Sequence, residues 1–337
     1  MKSILRYVKN FIVDNDRKSL FQITKDLYKL RNKGTLHYFT CLMYKKNAGD
    51  IHDYLSRNEY KSIIDKLYRK GGEHPILQNK NNFREFMQKN NIPISKTLGK
   101  IEKENLYIYD GIVLEKLSKK NILENLVKYS KGKSLFIKQV DGEGGKSVFK
   151  FNDKTNFEDV IIDLNKDYII EYELIQHDEL NKINPYCINT LRVITVNFNG
   201  EIKVPDTFFR MGTGKSYVDN GSSGGIFVHY DIHNNSMDKV AYKLPESGGN
   251  SYYKHPTSGV KFHQMVLPYP EEVICLVTKA AKLFTDIDLI GWDIAFTPDG
   301  PLILEANDNS HIVMMQISCK GIKSNSIYNE VFKKYIR

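Results

Sequence analysis

"GWDIAFTPDGPLILEAN", residues 291–307, places two acidic side chains and an amide in a stretch that is otherwise typical of buried β-strand. Its middle, "TPDGP", predicts the turn of a β-hairpin, because Pro298 fixes its own φ and Gly300 accepts a positive φ. We expect a three-residue loop with a bulge, closed by Thr297 and Pro301. The loop sets which residues of the two strands face each other.

That register places Asp293 opposite Glu305 on one face of the hairpin, together with Asn307. The alternating apolar residues form the other, core-facing side: Trp292, Ile294, Phe296, Leu302, Leu304 and Ala306. Facing carboxylates repel unless a cation lies between them or one holds a proton. Oxygen ligands without cysteine or histidine suit Mg²⁺ bridging to phosphates. A solvent-facing hairpin whose acids pair with lysines stays open as the alternative.

A second motif, "FIKQVDGEGGKSVFKF" at residues 136–151, joins two predicted strands through a glycine-rich loop. Such a loop can wrap backbone N–H groups around phosphate oxygens, while Lys138 supplies a positive charge. A purely structural hairpin tip is the alternative. The stretches "GTGKS" and "GGKS" lack the glycine spacing of a P-loop, which argues against a Walker-type NTPase.

Length and composition predict a folded α+β protein of two or three subdomains. The chain has 337 residues, 41% apolar residues and a net charge of +9. The charge fits an anionic substrate and nucleotide as well as a polyanion, and most basic residues of the N-terminal third lie on helical spacings typical of solvated faces. Four widely spaced cysteines indicate neither a zinc site nor a disulfide framework, and they fit a reducing cytoplasm.

The N-terminal segment "MKSILRYVKNFIV" predicts an amphipathic helix rather than a signal peptide. Its apolar residues share one face, which comprises Ile4, Leu5, Val8, Phe11 and Ile12. Packing on the protein is the first interpretation, and peripheral contact with a membrane surface is the second. No apolar run approaches the length of a transmembrane span.

Periodicity divides the chain into four predicted segments. Residues 1–75 form a helical N-terminal extension, and residues 76–130 form a linking region before the nucleotide-binding part. Residues 131–175 form a small α+β subdomain with the glycine-rich loop. Residues 176–337 form a large subdomain with the metal site, including a hairpin at "TLRVITVNFNGEIKV" and a helix at "YPEEVICLVTKAAKLFTD".

Five motifs in order resemble an ATP-grasp protein, and more narrowly the sugar-transfer-associated ATP-grasp group of polysaccharide biosynthesis. They are "NKNNF" before "NNIPIS", "FIKQVDGEGGKSV", "IIEYELIQHDELNKINPYCINTLRVITV", "RMGTGKSYVDNGSSGGIFV" and "GWDIAFTPDGPLILEAN". The resemblance covers nearly the whole chain. It implies an ATP-grasp fold with a helical N-terminal extension, in which the nucleotide lies between two α+β subdomains.

The resemblance also implies roles for individual residues. The phosphate-binding set is Lys80, Lys138, Gly142, Gly144, Gly145 and Ser147. The adenine and ribose set is Glu171, Tyr172, Glu173, Leu174 and either Asp178 or Glu179. Arg192 and Arg210 face the transferred phosphoryl group and the acyl phosphate, and Asp293, Glu305 and Asn307 bind the metal. Candidates to position the acceptor are Asn189, Thr190, Asp219, Asn220 and Ser223.

The implied activity is a carboxylate–amine ligase that uses ATP and two Mg²⁺ ions and passes through an acyl phosphate. A uronic acid or other sugar-linked carboxylate, joined to an amino acid or amino sugar in capsule or other surface polysaccharide synthesis, is the expected substrate pair. A kinase on the same scaffold is the first alternative. The second is a non-catalytic basic binding protein, which leaves the facing acids unexplained; no nucleic acid partner is expected.

Overall fold

The computed structural model describes residues 2–32, 35–67, 74–141, 148–214, 224–308 and 312–336. It divides into two compact units. Unit 1 contains Met1–Glu73, Gln176–Pro301 and Ala306–Arg337, and unit 2 contains His74–Ile175 and Leu302–Glu305.

Helices and strands alternate in blocks along the chain. The helices are α1 (Lys2–Val13), α2 (Leu20–Lys29), α3 (Thr35–Thr40), α4 (Arg57–Leu67), α5 (Pro75–Gln78), α6 (Lys80–Lys89), α7 (Lys119–Ser130), α8 (Asp178–Asn181), α9 (Pro270–Ala281), α10 (Ile312–Ser318) and α11 (Ser326–Lys333). The strands are β1 (Thr97–Glu102), β2 (Asn105–Ile108), β3 (Ile112–Leu114), β4 (Leu135–Gln139), β5 (Val148–Phe151), β6 (Tyr168–Tyr172), β7 (Thr190–Phe198), β8 (Glu201–Met211), β9 (Ile226–Asp231), β10 (Ser236–Met237), β11 (Ala241–Lys243), β12 (Ser251–Tyr252), β13 (Leu289–Thr297) and β14 (Gly300–Asn307).

Unit 2 is built on an antiparallel sheet in the order β3-β2-β1-β6-β4-β5. Alternate residues of β4, Leu135 and Ile137, are fully buried and pack with the apolar face of α7, which comprises Ile122, Leu123 and Leu126. The sheet therefore joins residues from two of the predicted segments, 76–130 and 131–175, although the segment boundaries themselves stay a prediction.

Unit 1 is built on a larger sheet in the order β12-β11-β9-β8-β7-β13-β14, with β10 paired to β9. The predicted hairpin forms β7 and β8. Asn199 (φ 52°) and Gly200 (φ 85°) at its tip both have positive φ, as a two-residue turn of the I′ type requires. The predicted helix at residues 269–286 forms α9, with Pro270 in its first turn, where the missing N–H costs nothing.

The N-terminal part is helical, as predicted, and contributes to the core of unit 1. Phe11 of α1 makes edge-to-face contacts with Phe39 and Tyr44, at ring-centroid distances of 5.5 and 5.2 Å. Ile12 is 61% exposed, so its assignment to the packed face is wrong. The side chains of Ile4, Leu5 and Val8 lie outside the described residues. No helix in the described ranges has the length and apolar character that a membrane crossing needs.

The hairpin of residues 291–307 exists as β13 and β14. β13 ends at Thr297 and β14 begins at Gly300, which has the predicted positive φ, at 120°. The Thr297 hydroxyl donates to the Gly300 carbonyl at 2.8 Å and stabilises the turn. The loop type and the register that places Asp293 opposite Glu305 stay predictions.

The predicted alternation in β14 is wrong. Ile303 is fully buried, whereas Leu302 and Leu304, the predicted core residues, are half-buried. The reason is a parallel bridge between Ile94 and Ile303, in which Ile303 donates its backbone N–H to the Pro93 carbonyl at 3.0 Å. Packing against this additional segment, which the hairpin sequence does not reveal, decides which side chain is buried.

Candidate active site

Unit 1 contains a buried cluster of one carboxylate and two guanidinium groups. Strand pairing places Asp293 on β13 opposite Arg192 on β7, and Thr190 on β7 opposite Arg210 on β8. Asp293 Oδ1 lies 2.5 Å from Arg192 Nε, and Asp293 Oδ2 lies 2.8 Å from Arg210 Nη2. All three charged side chains are at most 11% exposed. The sheet therefore brings together the two predicted catalytic arginines and one predicted metal ligand.

The two guanidinium groups of this cluster share the Asp293 carboxylate. Burial alone would raise the pKa of Asp293, but Arg192 and Arg210 outweigh it and hold that pKa below its usual range. Thr190 Oγ1 accepts hydrogen bonds from Arg210 Nε at 3.0 Å and from Nη2 at 2.7 Å. Both arginines are thus held in fixed orientations in a setting shielded from water, where charges interact more strongly than in water.

Unit 2 contains a second buried cluster, centred on Glu171 of β6. Its carboxylate is 2% exposed and forms ion pairs with Arg84 of α6 and Lys138 of β4. Ser95 Oγ donates to Glu171 Oε1 at 2.8 Å, and Arg84 donates to the backbone carbonyls of Ser95 (3.2 Å) and Leu304 (3.4 Å). The Glu171 carboxylate thus pairs with two cationic side chains, in addition to its predicted place beside the adenine.

The charges of Lys80 and Glu305 both affect the pKa of Lys138 in unit 2. Burial lowers the pKa of Lys138, Arg84 and Lys80 lower it further, and Glu305 opposes them. Burial also lowers the pKa of Arg84 to about 10, against the effect of Glu305. Lys80 Nζ donates to the Val140 carbonyl at 3.1 Å, directly before the glycine-rich loop. Two predicted phosphate-binding lysines and a predicted metal ligand therefore influence one another in unit 2.

Sequence reasoning missed Arg84. The signal for it was present, because Phe83, Arg84 and Met87 share one face of α6 and all three are buried. A charged residue on the apolar face of a helix requires a buried counter-charge. Glu171, to which the resemblance gave a nucleotide role, is that counter-charge.

The remaining predicted adenine and ribose residues differ in their contacts and in their exposure to solvent. The backbone N–H groups of Tyr172 and Glu173 donate to the carbonyls of Lys96 (3.0 Å) and Ser134 (2.9 Å). Glu173 Oε1 also lies 2.5 Å from Lys150 Nζ. Leu174 is half-buried in unit 2.

Asp178 and Glu179 begin α8 in unit 1. Glu179 Oε1 lies 2.7 Å from Lys182 Nζ, in an exposed ion pair. Their ribose role stays a prediction.

Of the predicted acceptor residues, Thr190 lies in the arginine cluster and Asn189 lies in a separate polar network. Asn189 is fully buried, and its Nδ2 group donates to Gln176 Oε1 at 3.0 Å and to the Asn184 carbonyl at 2.9 Å. Its Oδ1 accepts from the Gly212 N–H at 3.3 Å. These bonds indicate that Asn189 positions the chain near Gly212.

Several predicted residues lie outside the described residues. They are Gly142, Gly144, Gly145 and Ser147 of the glycine-rich loop, and Asp219, Asn220 and Ser223 of the acceptor set.

The predicted metal ligands lie on β13 and β14, and the donor chemistry fits Mg²⁺. Asp293 belongs to unit 1, Glu305 to unit 2, and Asn307 is a half-buried residue of unit 1. Each carboxylate oxygen has two lone-pair directions, and each arginine occupies one direction on Asp293. A cation can therefore bind Asp293 without displacing both arginines.

Comparison with protein families matches residues 58–328 to the family described as sugar-transfer associated ATP-grasp. Comparison with curated proteins gives no match. Similar solved structures include D-alanyl-alanine synthetase A from Vibrio cholerae, with 11% identity and a TM-score of 0.45, covering 77% of this chain and 66% of that chain. An L-amino acid ligase from Bacillus licheniformis has 14% identity and a TM-score of 0.41, covering 78% of this chain and 51% of that chain.

A third similar structure is N5-carboxyaminoimidazole ribonucleotide synthetase from Thermotoga maritima, with 15% identity and a TM-score of 0.37. It covers 72% of this chain and 46% of that chain. The chain thus spans between 46% and 66% of the length of these three chains.

The family match covers most of the chain and defines its class as ATP-grasp. The chain belongs to the sugar-transfer associated ATP-grasp family. This membership confirms the predicted α+β ATP-grasp fold.

Proposed function

We propose that the chain is an ATP- and Mg²⁺-dependent carboxylate–amine ligase of cytoplasmic surface-polysaccharide assembly. In this reaction a carboxylate oxygen attacks the γ-phosphorus of ATP, ADP leaves, and an acyl phosphate forms. A neutral amine then attacks the acyl carbon, the carbon–oxygen bond breaks, and inorganic phosphate leaves. Family membership supports the ATP-grasp chemistry and, through its association with sugar transfer, the saccharide context.

The observation that carries the proposal is the pair of buried arginines joined through Asp293. The reaction brings two anions together, a substrate carboxylate and the terminal phosphate of ATP. Arg192 and Arg210 place two guanidinium groups beside Asp293, and Thr190 fixes the Arg210 guanidinium group. Preorganised cations in a dry site are worth most where charge develops in the transition state.

Lys80 and Lys138 are the residues proposed to contact the phosphates of ATP. Glu171 holds Lys138 through an ion pair, and Arg84 in turn pairs with Glu171, so the Lys138 ammonium group is oriented before nucleotide binds. Positioning of this kind lowers the entropy cost of bringing reactants together. Glu171 therefore acts as a positioning residue in addition to its predicted place beside the adenine.

Asp293, Glu305 and Asn307 are proposed to hold the Mg²⁺ ions, two in number. When bound, Mg²⁺ offsets the charge of the β- and γ-phosphates and of the incoming carboxylate. The protein's own contribution within unit 1 is to keep Asp293 ionised through its two arginine partners.

The carboxylate substrate is proposed to be a uronic acid or another sugar-linked acid, and the amine an amino acid or amino sugar. This proposal rests on the sugar-transfer description of the family, because the acceptor residues Asp219, Asn220 and Ser223 lie outside the described residues.

The experiment is an assay of ADP and free phosphate with Mg-ATP and a panel of uronic acids, amino acids and amino sugars. We expect both products only when a carboxylate and an amine are present together. ADP with a new phosphoester and no free phosphate would establish the alternative kinase, and ATP left intact with every pair would contradict the proposal.

Two variants sharpen this assay. Glu305→Gln should abolish turnover while the far-UV circular dichroism stays that of the folded chain. Glu201→Gln, an exposed acid on β8 whose side chain is 69% accessible, is the matched control and should turn over normally. Normal turnover of Glu305→Gln would remove the metal assignment.

A further inference from the structure

Unit 1 contains a cluster of three different metal-ligating side chains away from the two charged clusters of the candidate active site. Asp206 lies on β8, His229 lies on the neighbouring strand β9, and Cys319 follows the end of α10. One ligand atom from each lies within 4.8 Å of the other two. His229 Nε2 is 3.6 Å from Asp206 Oδ1, a separation that a shared cation can bridge.

The second nitrogen of His229 has the partner that a metal-binding histidine requires. His229 Nδ1 lies 3.7 Å from Asp238 Oδ1, and Lys320 Nζ holds the other oxygen of Asp238 at 2.6 Å. Histidines that bind metals usually direct their remaining ring nitrogen toward a carboxylate, which fixes the tautomer and the orientation of the ring. Asp206 and Asp238 thus face different nitrogens of the same ring.

Tyr328 of α11 supplies an independent observation. Its side chain is fully buried. Burial raises the pKa of its hydroxyl group, and the nearby Asp206 and Cys319 raise it further. The Tyr328 hydroxyl therefore lies close to two of the three metal-ligating side chains.

We propose that Asp206 Oδ1, His229 Nε2 and Cys319 Sγ form a Zn²⁺ site, with water hydrogen-bonded to Tyr328 as the fourth ligand. A mixed set of sulfur, nitrogen and oxygen suits Zn²⁺ and excludes the hard ions Mg²⁺ and Ca²⁺, which require oxygen ligands. Binding releases the Cys319 thiol proton and the His229 Nε2 proton to water as the zinc–sulfur and zinc–nitrogen bonds form. This site is distinct in ligands and in metal from the proposed Mg²⁺ site.

The site joins parts of unit 1 that are distant in sequence. Asp206 and His229 come from adjacent strands, whereas Cys319 begins the connection from α10 to α11. A bound ion fastens the C-terminal helices to the sheet that carries Arg192 and Arg210. The expected role is to hold these elements together, since none of the three protein ligands is among the residues proposed for the ATP chemistry.

The experiment is a titration of the full chain, first stripped of metal by a chelator, with Co²⁺ as the spectroscopic substitute for Zn²⁺. We expect one equivalent to bind, with a thiolate-to-cobalt charge-transfer band, and Zn²⁺ to displace it. Absence of that band in the unmodified chain would overturn the proposal without reference to any variant. It would leave the cluster as a hydrogen-bonded network of charges.

Three variants and a control locate the ion. Cys319→Ser should abolish the charge-transfer band, and His229→Gln should weaken binding at least tenfold. Asp238→Asn should weaken binding about 10- to 100-fold, as expected when the carboxylate behind a metal-binding histidine is lost. Cys275→Ser, which removes an exposed thiol on α9, should retain the band and the affinity. An unchanged band in Cys319→Ser would contradict the assignment.

Discussion

Asp293→Asn removes the carboxylate that Arg192 and Arg210 share in their buried cluster. Both guanidinium groups lose this counter-charge while they stay shielded from water. The asparagine keeps the shape of the side chain, so the substitution tests charge rather than packing. Breaking a buried ion pair in this way typically costs about 3–5 kcal/mol.

Urea unfolding followed by tryptophan fluorescence measures this cost in unit 1. Trp292 is the single tryptophan of the chain, it is fully buried, and it lies next to Asp293. With an m-value of about 2 kcal/mol per molar urea, a loss of about 4 kcal/mol lowers the midpoint by about 2 M. Asp299→Asn in the exposed turn of the same hairpin is the control, and we expect its stability to stay within about 0.5 kcal/mol of the parent.

A double variant separates unpaired charge from any other effect of the substitution. Asp293→Asn combined with Arg192→Met removes one of the two uncompensated charges, while Thr190 still holds Arg210. We expect the double variant to recover about 1–3 kcal/mol relative to Asp293→Asn. A midpoint of Asp293→Asn equal to that of the parent would refute the claim that Asp293 balances both arginines.

Three further predictions test other parts of the molecule. Lys138→Met should weaken ATP binding in calorimetry, whereas Lys150→Met on the adjacent strand β5 should not; equal affinities would contradict the phosphate assignment. Gly99→Ala should destabilise unit 2 by about 1–3 kcal/mol, since its Cβ would lie 2.0 Å from the Tyr107 carbonyl oxygen. An unchanged melting temperature, followed by far-UV circular dichroism, would contradict this. Burial lowers the pKa of His37 to about 4 from its usual 6.5. Between these two pH values the unfolded chain binds a proton at His37 that the folded chain excludes. The free energy of unfolding should therefore fall by about 3 kcal/mol as the pH falls from 6.5 to 4. His37→Gln should flatten that dependence, and an equal slope in both proteins would refute it.

Local features of the fold were predictable from sequence where one short-range rule dominates. The Asn199–Gly200 turn requires positive φ at both residues, so the β7–β8 hairpin follows from its dipeptide. Pro270 likewise marks the start of α9. The alternation in β14 was wrong because Ile303 packs beside a segment that the hairpin sequence does not reveal.

The candidate site was predictable as a set of residue types but not as a set of partners. The motifs named Arg192, Arg210 and Asp293, yet nothing in their spacing indicates that both arginines bind one carboxylate. That geometry comes from the pairing of β7 with β13, which is distant in sequence, as well as with its hairpin partner β8. Arg84 and Glu171 were missed as a pair for the same reason, because ion pairs across elements depend on tertiary structure.

The most direct test of the central claim follows an oxygen atom. A substrate carboxylate labelled with ¹⁸O is supplied with its amine and Mg-ATP, and the released phosphate is analysed by phosphorus NMR for the isotope shift. Because an acyl phosphate breaks at its carbon–oxygen bond under attack by the amine, we predict that one ¹⁸O atom moves from each carboxylate to phosphate. Released phosphate without ¹⁸O would contradict the ligase mechanism.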